Sequence, residues 1–153
     1  SGCPLMSGGF QPMIQRTDVH DGRKVLQPKV LVVDDDPTIR RILNRLLASR
    51  FKAAVVEARD GEEGFTVAEA ENPDLILIDV SMPGVDGPTL LARLRQDSRF
   101  ASTPVITISA EVERDVVVRM IELGVDDYIS KPLNILSVEQ RLGKALAALS
   151  IRR

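Results

Sequence analysis

The sequence lacks several features that define other classes of protein. It has one cysteine, Cys3, so it cannot form an internal disulfide, and a disulfide-stapled secreted scaffold is excluded. No apolar run approaches the roughly 20 residues that cross a bilayer. Residues 1–27 have neither the basic start nor the apolar stretch of a signal peptide. We therefore expect a cytoplasmic chain without membrane contact.

An excess of positive charge is also missing. Lys and Arg total 20 against 22 Asp and Glu, a formal net charge of -2 at pH 7. Direct binding to nucleic acid is therefore not expected. Apolar residues, by contrast, are plentiful, at 44% of 153 residues with 27% charged. This composition predicts one folded domain with a single core.

Short apolar runs alternate with longer stretches of helical period after Gln27. The runs are rich in β-branched residues and too short for helices, so they predict five strands, at residues 30–33, 53–56, 75–78, 105–108 and 128–129. Five helices are predicted between and after them: one capped by Asp36, one from Asp60 to before Asn72, and others over 88–97, 112–123 and from about 134 onward. The alternation predicts a doubly wound α/β fold, with a parallel sheet of strand order 2-1-3-4-5 and helices on both faces.

Polar residues follow four of the predicted strands at their carboxyl ends, where ligands bind in open sheets of this kind. They are Asp34, Asp35 and Asp36 after the first strand, Asp79 after the third, Ser109 after the fourth and Lys131 after the fifth. Carboxylates that converge raise each other's pKa unless a cation lies among them. Mg²⁺ prefers such oxygen ligands, and zinc is excluded because no Cys or His is nearby.

The same set of residues suits the binding of a phosphoryl group. Lys131 supplies a positive charge and Ser109 a hydrogen-bond donor, while Asp79, central in the sheet, is the natural carboxylate nucleophile. Each residue alone also has a structural interpretation. Asp36 and Ser109 suit helix caps, and Asp79 suits the turn that follows it. Groups of complementary charge at four strand ends favour the functional interpretation.

Four segments together resemble the receiver domain of bacterial two-component response regulators. They are VLVVDDD at 30–36, LILIDVSMPGVDG at 75–87, ISA at 108–110 and YISKP at 128–132. The resemblance implies a flavodoxin-like (βα)5 domain at residues 28–150. Residues 1–27 would then be an N-terminal extension or tag remnant, and 151–153 a tail or the start of a linker.

The resemblance also implies the roles of individual residues. Asp79 would accept a phosphoryl group from a histidine kinase, and Mg²⁺, with Mn²⁺ able to substitute, would be ligated by Asp35, Asp79 and the backbone carbonyl of Ser81. Asp34 would act mainly through a coordinated water, and Lys131 would contact the phosphoryl group. The remaining implied roles are the switch pair Ser109 and Tyr128, a cis bond before Pro132, and tuning of dephosphorylation by Ser81 and Glu111.

The partners implied are a sensor histidine kinase or phosphotransfer protein and a downstream output domain or target protein. The readout surface would comprise the fourth helix, fifth strand and fifth helix, with homodimerisation on activation. Such a domain is a phosphoacceptor and not an enzyme, beyond slow self-phosphorylation and self-dephosphorylation.

Two other functions are considered. Asp34, Asp36 and Thr38 fit the Asp-x-Asp-x-Thr motif of haloacid dehalogenase-like phosphatases, with Asp34 as nucleophile. This leaves Asp79 without a role, and Asp126 and Asp127 precede Lys131, whereas that family places its later acidic motif beyond its lysine. The other alternative is a receiver-like interaction module that is never phosphorylated.

Overall fold

Five parallel strands form the central sheet. The structure is a computed structural model that describes residues 17–20, 23–110 and 113–152. In chain order the sheet strands are β3 (Lys29–Val33), β4 (Ala54–Ala58), β5 (Leu75–Asp79), β6 (Val105–Ser109) and β7 (Asp127–Ser130). They lie in the order β4-β3-β5-β6-β7, which is 2-1-3-4-5 when only these strands are counted. The predicted fold class and strand order are confirmed.

Five helices cover the two faces of the sheet: α1 (Pro37–Phe51), α2 (Gly61–Glu71), α3 (Gly87–Gln96), α4 (Arg114–Glu122) and α5 (Ile135–Arg152). Alternate residues of each strand point to opposite faces. Val30 and Val32 thus pack in a core cluster with α1 and α5. Leu31 and Val33 pack in a second cluster with α2, α3 and α4. Among the described residues, no helix is both long and apolar enough to cross a bilayer.

Aspartate side chains cap the first three helices. The carboxylates of Asp36, Asp60 and Asp86 accept hydrogen bonds from backbone N–H groups two or three residues later, at 2.8, 2.8 and 3.0 Å. Such caps satisfy donors that have no partner within the helix. The predicted caps at Asp36 and Asp60 are confirmed. In a capping box, the Glu63 side chain would accept a hydrogen bond from the N–H of the cap residue Asp60. It accepts instead from the N–H of Arg59, one residue before the cap.

The helix α4 differs in its start from the prediction. Its predicted first residue, Val112, lies outside the described residues, and the helix runs from Arg114 to Glu122. Its N-cap residue is Glu113, whose side chain makes no capping hydrogen bond, so Ser109 is not the cap of this helix. Gly124, with φ of +82°, lies directly after the C-cap residue Leu123, where glycine commonly ends a helix.

A two-stranded antiparallel sheet precedes the central one. It consists of β1 (Thr17–His20) and β2 (Arg23–Leu26). These two strands were not among those predicted from the sequence.

The Arg95 guanidinium connects the C-terminal end of α4 with the loop that follows α3 through hydrogen bonds. Its Nε and Nη2 donate to the carbonyls of Leu123 and Gly124 at 2.9 Å each, and its Nη1 donates to those of Phe100 and Thr103 at 3.0 and 2.8 Å. One guanidinium therefore satisfies carbonyls on two separate segments.

Replacing Arg95 with methionine is expected to lower the free energy of unfolding by about 2–4 kcal/mol, because hydrogen bonds to a charged group are lost and carbonyls lose their donor. Urea denaturation measures the change. The matched control is Arg93→Met on the same helix. Arg93 stacks over Phe65 at 4.3 Å and has a half-exposed side chain, so its replacement should cost about 1 kcal/mol or less. Equal losses in the two variants would contradict the role of Arg95.

Candidate functional site

The polar strand ends meet where the chain order of the sheet reverses. The strand β3 is flanked by β4 and β5, so its carboxyl end lies at the topological switch point, where open α/β sheets bind ligands. Asp34 follows β3 directly and Asp79 is the last residue of β5. Ser109 ends β6, and Lys131 follows β7.

Three carboxylates at this end of the sheet form one group, which we name the acidic cluster: those of Asp34, Asp35 and Asp79. One oxygen from each lies within 4.8 Å of the others. Asp34 is fully buried and Asp79 is 3% exposed, whereas Asp35 is exposed. The cluster therefore opens to solvent on the side of Asp35.

The Lys131 ammonium joins the two buried carboxylates. Its Nζ lies 3.1 Å from Oδ2 of Asp34 and 3.4 Å from Oδ2 of Asp79. Its backbone N–H donates to the carbonyl of Ser109 at 3.0 Å, and the peptide bond to Pro132 is cis. The lysine is thus held at the end of the sheet with its charge between two strands.

The pKa values of this group follow from burial and charge. Burial and the nearby charge of Asp34 raise the pKa of Asp79 to about 6, although Lys131 opposes this. Burial by itself would lower the pKa of Lys131, but its hydrogen bond with Asp34 and the two carboxylate charges outweigh this and raise it. The lysine is therefore charged at neutral pH, while Asp79 carries an unfavourable negative charge.

Local hydrogen bonds orient the two buried carboxylates of the acidic cluster. Oδ1 of Asp34 accepts from the N–H of Asp36 at 2.9 Å, and Oδ1 of Asp79 accepts from the N–H of Ser81 at 3.4 Å. Oδ2 of Asp34 is buried, and its ion-pair partner is Nζ of Lys131 at 3.1 Å. Three carboxylates lie together with one ammonium, so negative charge is in excess, and the donor set fits a divalent cation that prefers oxygen ligands.

The loop after Asp79 requires glycine at position 87. The N–H of Gly87 donates to the carbonyl of Val80 at 3.0 Å. A Cβ atom at this position would lie 2.5 Å from the backbone oxygen of Asp79 and 2.7 Å from Cα of Val80. Because backbone cannot yield to such a contact, only glycine allows α3 to begin this close to Asp79.

Ser109 and Tyr128 lie on the adjacent strands β6 and β7. Ser109 is buried and comes one residue after Ile108, the residue that pairs with Asp79. The half-buried Tyr128 donates its hydroxyl to the Ser109 carbonyl at 3.4 Å. The tyrosine also lines a groove of about 550 Å³ beneath α4, together with Val80, Thr107, Val116 and Met120.

Of the two positions predicted to tune dephosphorylation, the structure describes one. Ser81 is exposed, two residues after Asp79. Glu111 lies outside the described residues.

One residue at the site was missed by the sequence analysis. Arg40 of α1 donates from Nη1 to the carbonyl of Asp34 at 2.7 Å. Its position in the first turn of α1 is the available signal, because a positive charge there is unfavourable for the helix dipole unless it has another partner.

The fold and the acidic cluster at the carboxyl ends of the strands define a class of protein: doubly wound α/β proteins with an acidic ligand site at the topological switch point. Within that class, the family model for the response regulator receiver domain matches residues 30–143. The chain belongs to this family, whose members are signalling domains of two-component systems and not classical enzymes.

Individual relatives agree with this assignment. The chain is 34% identical to chemotaxis protein CheY of Pseudomonas aeruginosa over 116 residues, which cover 76% of this chain and 94% of CheY. It is 40% identical to transcriptional regulatory protein ResD of Bacillus subtilis over 120 residues, 78% of this chain but 48% of ResD. The receiver domain structure of the Francisella response regulator 1452 superposes with a TM-score of 0.71 at 31% identity, covering 83% of this chain and all of that one.

The length of the match varies among these relatives. The chain spans about half of the transcriptional regulator ResD but nearly all of CheY. The haloacid dehalogenase alternative is not supported by the family match.

Proposed function

We propose that this receiver domain is a phosphoacceptor in which Asp79 takes a phosphoryl group from a sensor histidine kinase or a phosphotransfer protein. The observation that carries the proposal is the contact of Lys131 Nζ with both buried carboxylates, at 3.1 and 3.4 Å, within the acidic cluster. A lysine ammonium held between two strand ends, beside an acidic cluster, can bind an incoming dianionic phosphoryl group. Binding of such a group explains this arrangement better than a role in stabilising the fold.

The acidic cluster would hold Mg²⁺, or Mn²⁺ in its place, through Asp35, Asp79 and the backbone carbonyl of Ser81, with Asp34 acting through a water. When bound, the metal supplies positive charge that neutralises the phosphoryl oxygens. The excess of carboxylates over ammonium groups in the acidic cluster and the raised pKa of Asp79 support a cation here. This assignment also explains why three carboxylates are kept together despite their repulsion.

The transfer is a displacement at phosphorus. An oxygen of the Asp79 carboxylate forms the new P–O bond while the P–N bond of the donor phosphohistidine breaks. The bonding electron pair stays on the imidazole nitrogen, which takes up a proton. Lys131 and the hydroxyl of Ser109 then contact the phosphoryl oxygens. Slow self-phosphorylation by small donors and slow self-dephosphorylation use the same residues, with Ser81 and Glu111 affecting the latter.

The switch proceeds from Ser109 to Tyr128. Phosphorylation shifts an equilibrium between two states, because the added charge attracts the Ser109 hydroxyl more strongly in one of them. The Tyr128 ring borders both the Ser109 carbonyl and the groove beneath α4, so movement there changes the face formed by α4, β7 and α5. That face contacts an output domain, a target protein or a second copy of the chain. Its exposed Val118 and Ile121 suit such contacts.

Incubation with Mg²⁺ and a small acyl phosphate tests the proposal. Intact-mass measurement should show a gain of one phosphoryl group that is labile to base, and peptide mapping should locate it on Asp79. The control is the same protein treated with EDTA, which should remain unlabelled.

The alternatives give different results in that experiment. Continued hydrolysis of a phosphomonoester with labelling of Asp34 would favour the phosphatase. Absence of both labelling and Mg²⁺ binding would favour an interaction module that is never phosphorylated.

A further inference from the structure

Arg40 lies outside the acidic cluster but contacts the loop that carries it. We name residues 34–36, which join β3 to α1, the acidic loop. Nη1 of Arg40 donates to the backbone carbonyl of Asp34 at 2.7 Å, and Nε donates to Oε1 of Glu57 at 3.0 Å. The Arg40 side chain is only 19% exposed. Its guanidinium therefore links the acidic loop to the end of β4.

The Glu57 carboxylate is held in turn by a second donor. Nδ2 of Asn44 donates to Oε2 of Glu57 at 2.7 Å, so each carboxylate oxygen has its own partner. Both donors come from α1, one turn apart. The planar guanidinium has its donors in a fixed geometry, and this chain of contacts determines where Nη1 meets the acidic loop.

The Asp34 carbonyl, which Arg40 contacts, influences the position of Asp35. The carbonyl of Asp34 and the N–H of Asp35 belong to one planar peptide unit. The N–H of Asp34 is itself bound to the carbonyl of Ala58 at 3.1 Å. With both groups of Asp34 held, the direction in which the chain leaves β3 is fixed, and so is the start of the exposed Asp35. Repulsion within the acidic cluster acts against this arrangement.

We propose that Arg40 is a positioning residue: its contacts with Asp34 and Glu57 hold the acidic loop in the conformation that binds the divalent cation. This inference rests on the proposed function, because it assumes that the acidic cluster binds a metal. Groups that orient metal ligands commonly contribute 10-fold or more to metal affinity. Arg40 thus lowers the Kd for Mg²⁺ without touching the metal.

The test compares Mg²⁺ binding, measured by isothermal titration calorimetry, in the wild type and in Arg40→Met, Arg40→Lys and Glu57→Gln. We expect Arg40→Met to raise the Kd about 10-fold. Arg40→Lys keeps the charge but cannot bridge both partners, so it should resemble Arg40→Met more than the wild type. Glu57→Gln should give a smaller increase in the same direction. The matched control is Arg41→Met, because Arg41 is the exposed next residue of the same helix.

Two further measurements separate positioning from general loss of structure. In metal-free protein, the amide protons of Asp35 and Asp36 should exchange faster in Arg40→Met, while those of β5 and β6 should be unchanged. The rate of phosphoryl labelling should fall at low Mg²⁺ and return to within about 2-fold of the wild type at saturating Mg²⁺, because Arg40 acts only through the metal-binding conformation.

The outcomes distinguish this inference from the proposed function. If the wild type and Arg40→Met bind Mg²⁺ equally, with equal amide exchange, the inference about Arg40 is wrong while the proposed function stands. If the wild type does not bind Mg²⁺, the proposed function fails, and this inference fails with it. If Arg40→Lys matches the wild type, charge alone suffices and the positioning role is overturned.

Discussion

Replacing Asp79 with asparagine is expected to abolish phosphoryl labelling by a small acyl phosphate, a fall of roughly 100-fold or more. The amide cannot form the acyl phosphate, and removal of a covalent nucleophile costs orders of magnitude because the remaining groups have nothing to act on. Intact-mass analysis after incubation with Mg²⁺ measures the effect.

The matched control for this substitution is Asp115→Asn. Asp115 is an exposed aspartate in the first turn of α4, so the same chemical change there should leave labelling as in the wild type. Persistent labelling of Asp79→Asn would remove Asp79 from the role of phosphoacceptor. Labelling of that variant on Asp34 would point back to the phosphatase motif.

The central part of the fold follows from local sequence patterns. Residues 75–78 are all apolar, and the strand they predict is fully buried between two layers of helices, which is what a parallel strand requires. The edges of strands are less predictable. β7 includes the polar Asp127 and Ser130, because the hydrogen bonds of the ladder do not depend on the polarity of side chains.

The strands β1 and β2 do have a sequence signal. Asp21 and Gly22 lie between His20, the last residue of β1, and Arg23, the first residue of β2, and Asp-Gly between short strands is a common hairpin signal. The start of α4 had no comparable signal, since three consecutive valines have low helix propensity and Glu113 provides no side-chain cap.

The candidate site was predictable for residues that follow strands, because the carboxyl ends of parallel strands share one edge. Asp34, Asp79 and Lys131 meet there as expected. The partners of long side chains on helices were less predictable. The place of Arg40 in the first turn of α1 indicates that it needs a partner, but only the tertiary fold shows which backbone carbonyls the guanidinium groups of Arg40 and Arg95 reach.

The acidic cluster destabilises the folded protein at neutral pH. Burial of Asp79 near Asp34 raises its pKa from 3.8 to about 6, so the folded state binds protons more tightly than the unfolded state. For an acid, a raised pKa destabilises the folded protein above that pKa and has no effect below the unfolded value. The penalty is therefore complete above about pH 6 and absent below pH 3.8. A shift of this size corresponds to about 3 kcal/mol.

In metal-free buffer, Asp79→Asn is therefore expected to raise the free energy of unfolding by about 2–3 kcal/mol at about pH 7.5, although it removes a contact with Lys131. Urea denaturation with EDTA should show this gain shrinking to less than about 0.5 kcal/mol near pH 3, where Asp79 is mostly protonated in both states. Asp115→Asn should change stability little at either pH. Saturating Mg²⁺ should reduce the difference in the free energy of unfolding between Asp79→Asn and the wild type, because the cation binds the wild-type acidic cluster more tightly and stabilises its folded state. An equal or lower stability of Asp79→Asn at neutral pH would mean that Lys131 already neutralises Asp79, and the electrostatic reason for a metal at this edge would be lost.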